Sequence, residues 1–450
     1  KVRTATTGRR RSTRATRTTP TTSTSTRATR TGTTTTATTG TPFALCAALT
    51  APCIAQGHGG ASFFLFYVFM AYHLTHEQLR IDLQKAYFDA RRHKRRKPYQ
   101  QKFERRADDN LSSLCEELWT RCYRPQPSTC FIITDPKQRE VFAAQFRDRI
   151  VHHLYYNYVH KMLERTFIAD SYSCIKHRGT HYGIKRLERH IRSESLNYAV
   201  PCYVLKMDVK GYFMHINRQR LLGITLTQLR RMAKHKVDVS CELRWRDCVD
   251  LDFVEYLTHV IILQDSTTNC RRRGSMLDWH GLPHGKSLFF SQEGCGLPIG
   301  NLTSQLFSNV YLNELDQYMK RSLRCRHYGR YVDDFYVVST DRTWLLSLRR
   351  PITVFMKEWL GLDVCEGKTR IVDVRQGVEF LGAFLKPHRR YVSRKTQKRM
   401  MGKLPCMVRC ESPRHLRSTL NSFLGLLSHY RSHFLRSDFL LKLPRSWLSL

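Results

Sequence analysis

The sequence predicts a mixed α+β fold of two to three subdomains, and three observations predict it. Cys202 to Val209 alternates with period two, Tyr203, Leu205, Met207 and Val209 on one face and Val204, Lys206 and Asp208 on the other, as a strand does. Tyr328–Val332 and Phe335–Val338 are short apolar runs separated by Asp333 and Asp334, which reads as a hairpin with the two carboxylates at its turn. Stretches on either side, such as Arg139 to Leu163 and Leu306 to Met319, repeat apolar residues at three and four, as helices do. A chain of 450 residues is long enough to bury a sizeable core.

Composition narrows the partner. A net charge of +38 with a pI near 10.0 points to a polyanion, with nucleic acid ahead of an anionic membrane surface. Lys and Arg are spread along the chain among 21 Tyr and 23 Phe, as suits tracking phosphates and stacking on bases. A membrane-surface protein more often confines its charge to one helix or tail. The 15 cysteines are scattered with no Cys-x-x-Cys pair, which predicts reduced thiols in a cytosolic setting. Cys406, Cys410 and His415 match no common zinc spacing and read as incidental.

Taken in order, residues 1–73 are expected to be disordered low-complexity sequence or a non-native extension. The first 40 are almost all Thr, Arg, Ala, Ser and Gly, and no acid precedes Glu77. An acid-free leader followed by the apolar patches Phe43–Ala55 and Phe63–Met70 has the composition of a targeting peptide, but the chain opens on Lys1 and Met70 lies just ahead of the first convincing helix. Neither patch reaches the ~18 residues of a membrane span.

Helices are expected at Glu77–Asp89, Asn110–Cys122 and Arg139–Leu163, the last with Phe142, Phe146, Ile150, Leu154 and Tyr158 on one face. A basic loop containing Lys176, His177, Arg178 and Gly179 follows, and then the Asp208 strand with Gly211, Tyr212 and Phe213 turning beside the carboxylate. Residues 222–291 are the least readable, with a helix near Phe253–Leu263 and an Arg-rich loop at Gln264–Gly274. Gly294 to Gly300 opens a helix through Leu306 and Met319. Beyond the carboxylate hairpin lie a helix at Trp344–Leu360, a basic turn at Gly367–Thr369, a short strand or hairpin at Val378–Leu385, and one helical face through Leu416, Leu420, Phe423, Leu427, Tyr430 and Phe434.

An isolated Asp-Asp pair is most often a solvated acidic turn. Here Asp208 on its strand and Asp333 and Asp334 at a glycine-free turn form a set that could bind two Mg2+ ions about 3.5–4 Å apart and catalyse phosphoryl transfer. A bound cation would relieve their repulsion.

The order and spacing of these blocks resemble a reverse transcriptase. The resemblance rests on Leu205–Phe213, the glycine-rich Gly296–Gln305, Tyr331–Phe335, Gly367–Thr369, and Phe380, Leu381 and Gly382, and runs from about Leu74 onward. It implies a right-hand polymerase with fingers at 74–200, palm at 201–385 and thumb at 386–450. It implies Asp208, Asp333, Asp334 and the Val209 backbone as ligands of two Mg2+ ions, and Lys368 as the group that protonates pyrophosphate. It places Arg178 on the incoming triphosphate, Phe213 against the ribose 2′-hydroxyl, and Lys176, Gly211, Tyr212, Ile299, Gly300 and Gln305 around the nucleotide. Phe380, Leu381 and Gly382 would grip the primer.

The run Gly296-Leu-Pro-Ile-Gly-Asn-Leu-Thr-Ser-Gln305 is similar to the enzymes of diversity-generating retroelements. Most reverse transcriptases carry Gln or Arg where Ile299 stands, and Pro where Gln305 stands. That resemblance implies bacterial or phage-encoded, cytoplasmic, error-prone copying of a template-repeat RNA opposite adenine, from a primer and dNTPs, with an accessory variability-determinant oligomer as partner. Group II intron and retron enzymes are the nearest alternatives, and a catalytically silent nucleic-acid binder is one of a different class. Ile175 departs from the Arg of many group II relatives, and the first 70 or so residues match nothing in the family.

Overall fold

The computed structural model describes residues 72–135, 137–268, 270–408 and 413–443, with side chains described outside 406–416. The expectations for residues 1–71 and for Cys410 lie outside the described residues, as do those for the side chains of Cys406 and His415.

The N-terminal elements are α1 (His76–Arg91), α2 (Pro98–Glu104), α3 (Ala107–Trp119), the hairpin of β1 (Thr129–Ile133) and β2 (Arg139–Ala143), α4 (Phe146–Glu164) and α5 (Thr180–Glu194). Thr75 caps α1 by accepting from the Gln78 amide at 3.1 Å. The sequence predicts one helix from Arg139, but Arg139–Ala143 pairs antiparallel with β1 and the helix begins at Phe146. Phe142, four residues before Phe146, fits a helical face by spacing alone. Its amide instead donates to the Ile299 carbonyl at 2.8 Å.

The central elements are β3 (Tyr203–Asp208), α6 (Tyr212–His215), α7 (Arg218–Ala233), α8 (Leu251–Leu263), β4 (Arg271–Arg272) and α9 (Leu302–Gln317), which runs into a π-helical turn at Tyr318–Ser322. β5 (His327–Tyr331) and β6 (Asp334–Ser339) follow, then α10 (Arg342–Ser347), α11 (Arg349–Leu360) and β7 (Arg370–Asp373). The least readable region thus contains most of α7, all of α8, several short 3-10 turns, and β4, which extends the β1–β2 sheet by pairing parallel with β1. The helix expected at Trp344–Leu360 is divided at Leu348.

The last elements are β8 (Val378–Phe380), β9 (Ala383–Lys386), β10 (Arg389–Val392), α12 (Arg394–Val408), α13 (Pro413–Leu427) and α14 (His433–Leu441). β8 and β9 form the expected hairpin, with Leu381 and Gly382 at φ 49° and 82° in its turn. The single terminal helix is two helices broken at Ser428–Ser432. Tyr430 lies in the break, and Phe434, expected on one helical face with Phe423 and Leu427, is 88% exposed while those two are buried.

Sheet order β5-β6-β3-β7 makes an antiparallel four-stranded sheet covered on both faces. Leu205, Met207, Phe335 and Val337 pack into a large core with α1, α4, α7, α8 and α9. Val204, Tyr336 and Val338 pack into a second core with α5 and the β8–β9 hairpin. Successive strand residues point to opposite faces, so covering both faces makes these strands near-continuously apolar. Their ends toward Asp208 and Asp334 are left to carry polar groups. Among the described residues no helix is long and apolar enough to cross a membrane.

Candidate active site

Asp208 closes β3 and is paired in register with Asp334, which opens β6, so the two carboxylates share one face at the open end of the sheet. The hairpin turn is Val332–Asp333 and not Asp333–Asp334 as the sequence suggests. Tyr331 pairs with Asp334, and it is Val332 that takes the left-handed conformation, at φ 54°. A β-branched residue at positive φ is strained and persists only where surrounding contacts over-determine it. The Val209 amide donates to the Asp333 carbonyl at 3.2 Å, closing the turn against the end of β3.

Those contacts begin with Arg330, 1% exposed, whose guanidinium grips the fully buried Asp316 of α9 through two hydrogen bonds of 2.8 and 2.6 Å. The same guanidinium donates to the Val332 carbonyl at 3.1 Å. Tyr328 donates to Asp316 at 2.6 Å, and Ser171 and Asn309 accept from Arg330 at 3.3 Å. Removing one partner of such a pair typically costs about 3–5 kcal/mol, because the other charge is left buried.

Two lysines face the carboxylates. The Lys368 ammonium lies 2.7 Å from Asp208, and Lys206 lies 3.7 Å from Asp334 while donating to the Glu379 carbonyl at 2.8 Å. Lys206, Asp208, Asp334, Gly367, Lys368 and Arg370 line a cavity of about 280 Å³. Burial works against the charge on Lys368, but its hydrogen bond to Asp208 and the charges of Asp208 and Asp333 hold its pKa above the usual lysine value. Burial raises Asp333, with Asp208 adding repulsion. Burial pushes Asp334 up to about 6; Lys206 opposes the shift, and Asp208 and Asp333 reinforce it.

Among the described residues no three His, Cys, Asp or Glu side chains converge into a preformed metal cage. The donor chemistry nevertheless fits a hard divalent cation: half-buried carboxylate oxygens, mutually repelling, whose charge two lysines leave partly uncompensated. Asp208, Asp333 and Asp334 are the side chains that would hold it.

The other sequence-predicted residues divide. Gly211, at φ 55°, starts α6, and a Cβ there would meet His215 at 2.7 Å and the Gly285 carbonyl at 2.9 Å. Tyr212 is buried and donates to the Ser308 carbonyl at 2.5 Å, so its hydroxyl is not available to a ligand. Phe213 and Ile299 sit at the edge of one small apolar cluster around Phe142 and Met214. The glycine-rich loop is tied to the Phe213 turn through Leu297 N–Phe213 O and Gly296 N–Ile216 O, both 2.8 Å. Gly300, at φ 130°, would carry a Cβ 2.8 Å from the Phe142 carbonyl. Gln305 is exposed on α9, and Lys176 is exposed on its loop. Arg178 instead donates to the carbonyls of Ile168 and Ser171 at 3.0 and 3.1 Å and faces Glu164. Phe380 is buried beneath Lys206, whose ammonium is 5.6 Å from the ring centre.

Sequence reasoning misses the cations that do face the site. Lys137 and Arg139, at the β1–β2 hairpin, lie within electrostatic reach of Lys368, with Lys286 and Lys395 alongside. Burial together with these charges lowers the pKa of Lys137. The charge of Arg139 also opposes the rise in the Asp333 pKa. Their signal is the sequence Thr134-Asp-Pro-Lys137, which reads as a turn but joins β1 to β2 rather than leading into a helix. The assembly sets carboxylates beside a cluster of cations, suited to a metal-bound polyanion such as a triphosphate.

The family model of reverse transcriptase (RNA-dependent DNA polymerase) matches residues 135–385, more than half of the chain. No curated protein matches the chain. Among solved structures, apo telomerase from Candida Tropicalis truncated from its C-terminal domain is 14% identical with a TM-score of 0.42, over 60% of this chain and 56% of that one. Apo telomerase from Candida Tropicalis is 12% identical with a TM-score of 0.43, over 70% and 59%. Telomerase from Candida albicans in complex with a TWJ fragment of telomeric RNA is 11% identical with a TM-score of 0.41, over 73% and 58%. This chain spans less than two thirds of each.

The raised Asp334 pKa carries a sign. The native state holds this proton more tightly than the unfolded chain, so the group's contribution falls as pH rises from about 4 through about 6. In metal-free protein, Asp334→Asn is therefore expected to raise the melting temperature at about pH 8 and leave it unchanged near pH 4. Equal shifts at both pH values in thermal melts would contradict this electrostatic reading.

Proposed function

Because the chain belongs to the reverse transcriptase family and carries its α+β domain of helices and antiparallel sheets, we propose that it is an RNA-directed DNA polymerase, a nucleotidyltransferase acting on template RNA, primer and dNTPs. The observation that carries this reading is the register pair Asp208–Asp334 with Asp333 on the adjoining turn, facing the Lys137, Arg139 and Lys368 cations. The four-stranded sheet then serves as the palm, the β1–β2 hairpin belongs to the fingers, and α12–α14 to the thumb.

The chemistry that bound Mg2+ supplies at such carboxylates is activation of the attacking 3′-hydroxyl and neutralisation of phosphate charge. Within the chain, Asp208, Asp333 and Asp334 hold that charge, and Lys137 and Arg139 orient the triphosphate. Lys368 keeps its proton at Nζ for the leaving pyrophosphate. Lys206 joins Asp334 to the Glu379 carbonyl, and so couples the carboxylates to the hairpin of Phe380, Leu381 and Gly382 that would hold the primer.

The finer reading is the mutagenic enzyme of a diversity-generating retroelement, working with an accessory oligomer and copying template adenines with errors. Ile299 and Gln305 support it. The Ile299 side chain packs at the edge of an apolar cluster shared with Phe213 and offers no hydrogen bond to a nascent pair. A site that lacks a polar contact discriminates less strictly than one that makes it.

Primer extension on an RNA template tests both levels. Asp334→Asn is expected to lower Mg2+-dependent extension by at least about 10³-fold while RNA affinity is retained, and undiminished extension would remove the carboxylates from the mechanism. Ile299→Gln is expected to reduce misincorporation opposite adenine severalfold by cDNA sequencing. An unchanged error spectrum would separate Ile299 from fidelity.

A further inference from the structure

Away from the carboxylates, β10, α13 and the start of α14 enclose a groove of about 690 Å³. Its floor is apolar, formed by the buried Val392 and Leu427. Tyr391 and Tyr430 line it, and Phe434 stands at its rim, 88% exposed. Arg431 and Arg436, both exposed, also line it, and no carboxylate does. The groove has a fixed frame. The Arg431 amide donates to the Arg390 carbonyl at 3.0 Å, tying the Ser428–Ser432 break to the β10 edge, and the Ser432 hydroxyl donates to the Leu427 carbonyl at 2.6 Å.

We propose that this groove binds an unpaired nucleic-acid strand, with Phe434 as the platform for one base and Arg431 and Arg436 as partners of the flanking phosphates. The inference rests on the polymerase reading and adds to it a strand class and a site. Charge narrows the class of occupant, because a rim of arginines without a carboxylate complements a polyanion and offers no charge complementarity to a neutral or basic protein surface. Geometry decides between single strand and duplex. A duplex hides its base faces within the stack, whereas an exposed phenyl ring beside a nucleotide-sized groove meets the face of an unpaired base. β10 lies two strands from β8 in the same sheet, on the order of 10 Å away, and β8 carries the Glu379 carbonyl that Lys206 holds beside Asp334. A strand continuous with the primer or template at the carboxylates can therefore reach the groove within a few nucleotides.

The test is fluorescence anisotropy with the full chain, without divalent ions, using a labelled single-stranded RNA and a blunt RNA–DNA hybrid. Phe434 is on the surface, and a thermal melt establishes that its variants fold. Phe434→Ala is expected to weaken single-strand binding about tenfold and hybrid binding by less than about twofold, with Phe434→Trp restoring the single-strand affinity. Arg431→Ala with Arg436→Ala is expected to flatten the salt dependence of single-strand binding. Unchanged single-strand affinity in Phe434→Ala overturns the proposal, and an equal loss on both probes overturns it in favour of a duplex grip. Primer extension is scored separately. A wild-type chain that shows the predicted binding pattern but never extends a primer contradicts the polymerase reading while leaving the groove assigned.

Discussion

The ion pair between Arg330 and Asp316 is the constraint on which the candidate active site depends. It joins the helix that follows the glycine-rich loop to the strand that leads into the carboxylate turn. Its guanidinium also holds the carbonyl of Val332, the residue forced to positive φ. Burying two charges gains little net stability, because desolvation offsets most of their attraction. What the pair supplies is placement. Arg330 can satisfy Asp316, Val332, Ser171 and Asn309 together only when the turn carrying Asp333 is in one position.

From that anchor the order spreads in two directions. Along α9, Asn309 donates to the Ser173 carbonyl at 2.8 Å and Tyr212 donates to Ser308, so the loop before α5 and the turn after β3 are fixed to the same helix. Across the sheet, Tyr336 meets Tyr172 at 2.8 Å and His190 at 3.1 Å, and Tyr172 reaches Asp170, itself held by Arg186 at 2.6 and 3.0 Å. Gly329 leaves room for this chain, since a Cβ there would lie 2.6 Å from the Tyr336 hydroxyl and closer still to that of Tyr172. Two buried polar systems thus back the two faces of the sheet, and the repelling carboxylates stand at the end they make rigid.

What is legible in the sequence follows from how local each cause is. Asp208 and the β8–β9 hairpin are legible because alternation and turn residues act over a few positions. The hairpin of Asp333 and Asp334 is legible too, but its register is not: no local preference places Val332 at positive φ, and the Arg330 contact that holds it there depends on Asp316, fourteen residues away in sequence. Arg139 to Ala143 reads as helix because Phe142 and Phe146 share helical spacing, while its partners, Thr129–Ile133 and the Ile299 carbonyl, are distant or lack any signal of their own. The terminal break at Ser428–Ser432 contains neither Gly nor Pro. Lys206 reads only as the polar side of a strand, and its link between Asp334 and Glu379 exists only once β8 has folded against β3.

The most direct measurement is the single-turnover rate of nucleotide addition by Arg330→Lys on an RNA template. Lysine keeps the charge that Asp316 needs but cannot grip both of its oxygens and the Val332 carbonyl together. If the pair positions Asp333, the rate falls by roughly 10²-fold while primer–template affinity is retained. A rate within about twofold of the wild type would contradict the account, because the carboxylate turn would then hold its working position without the pair.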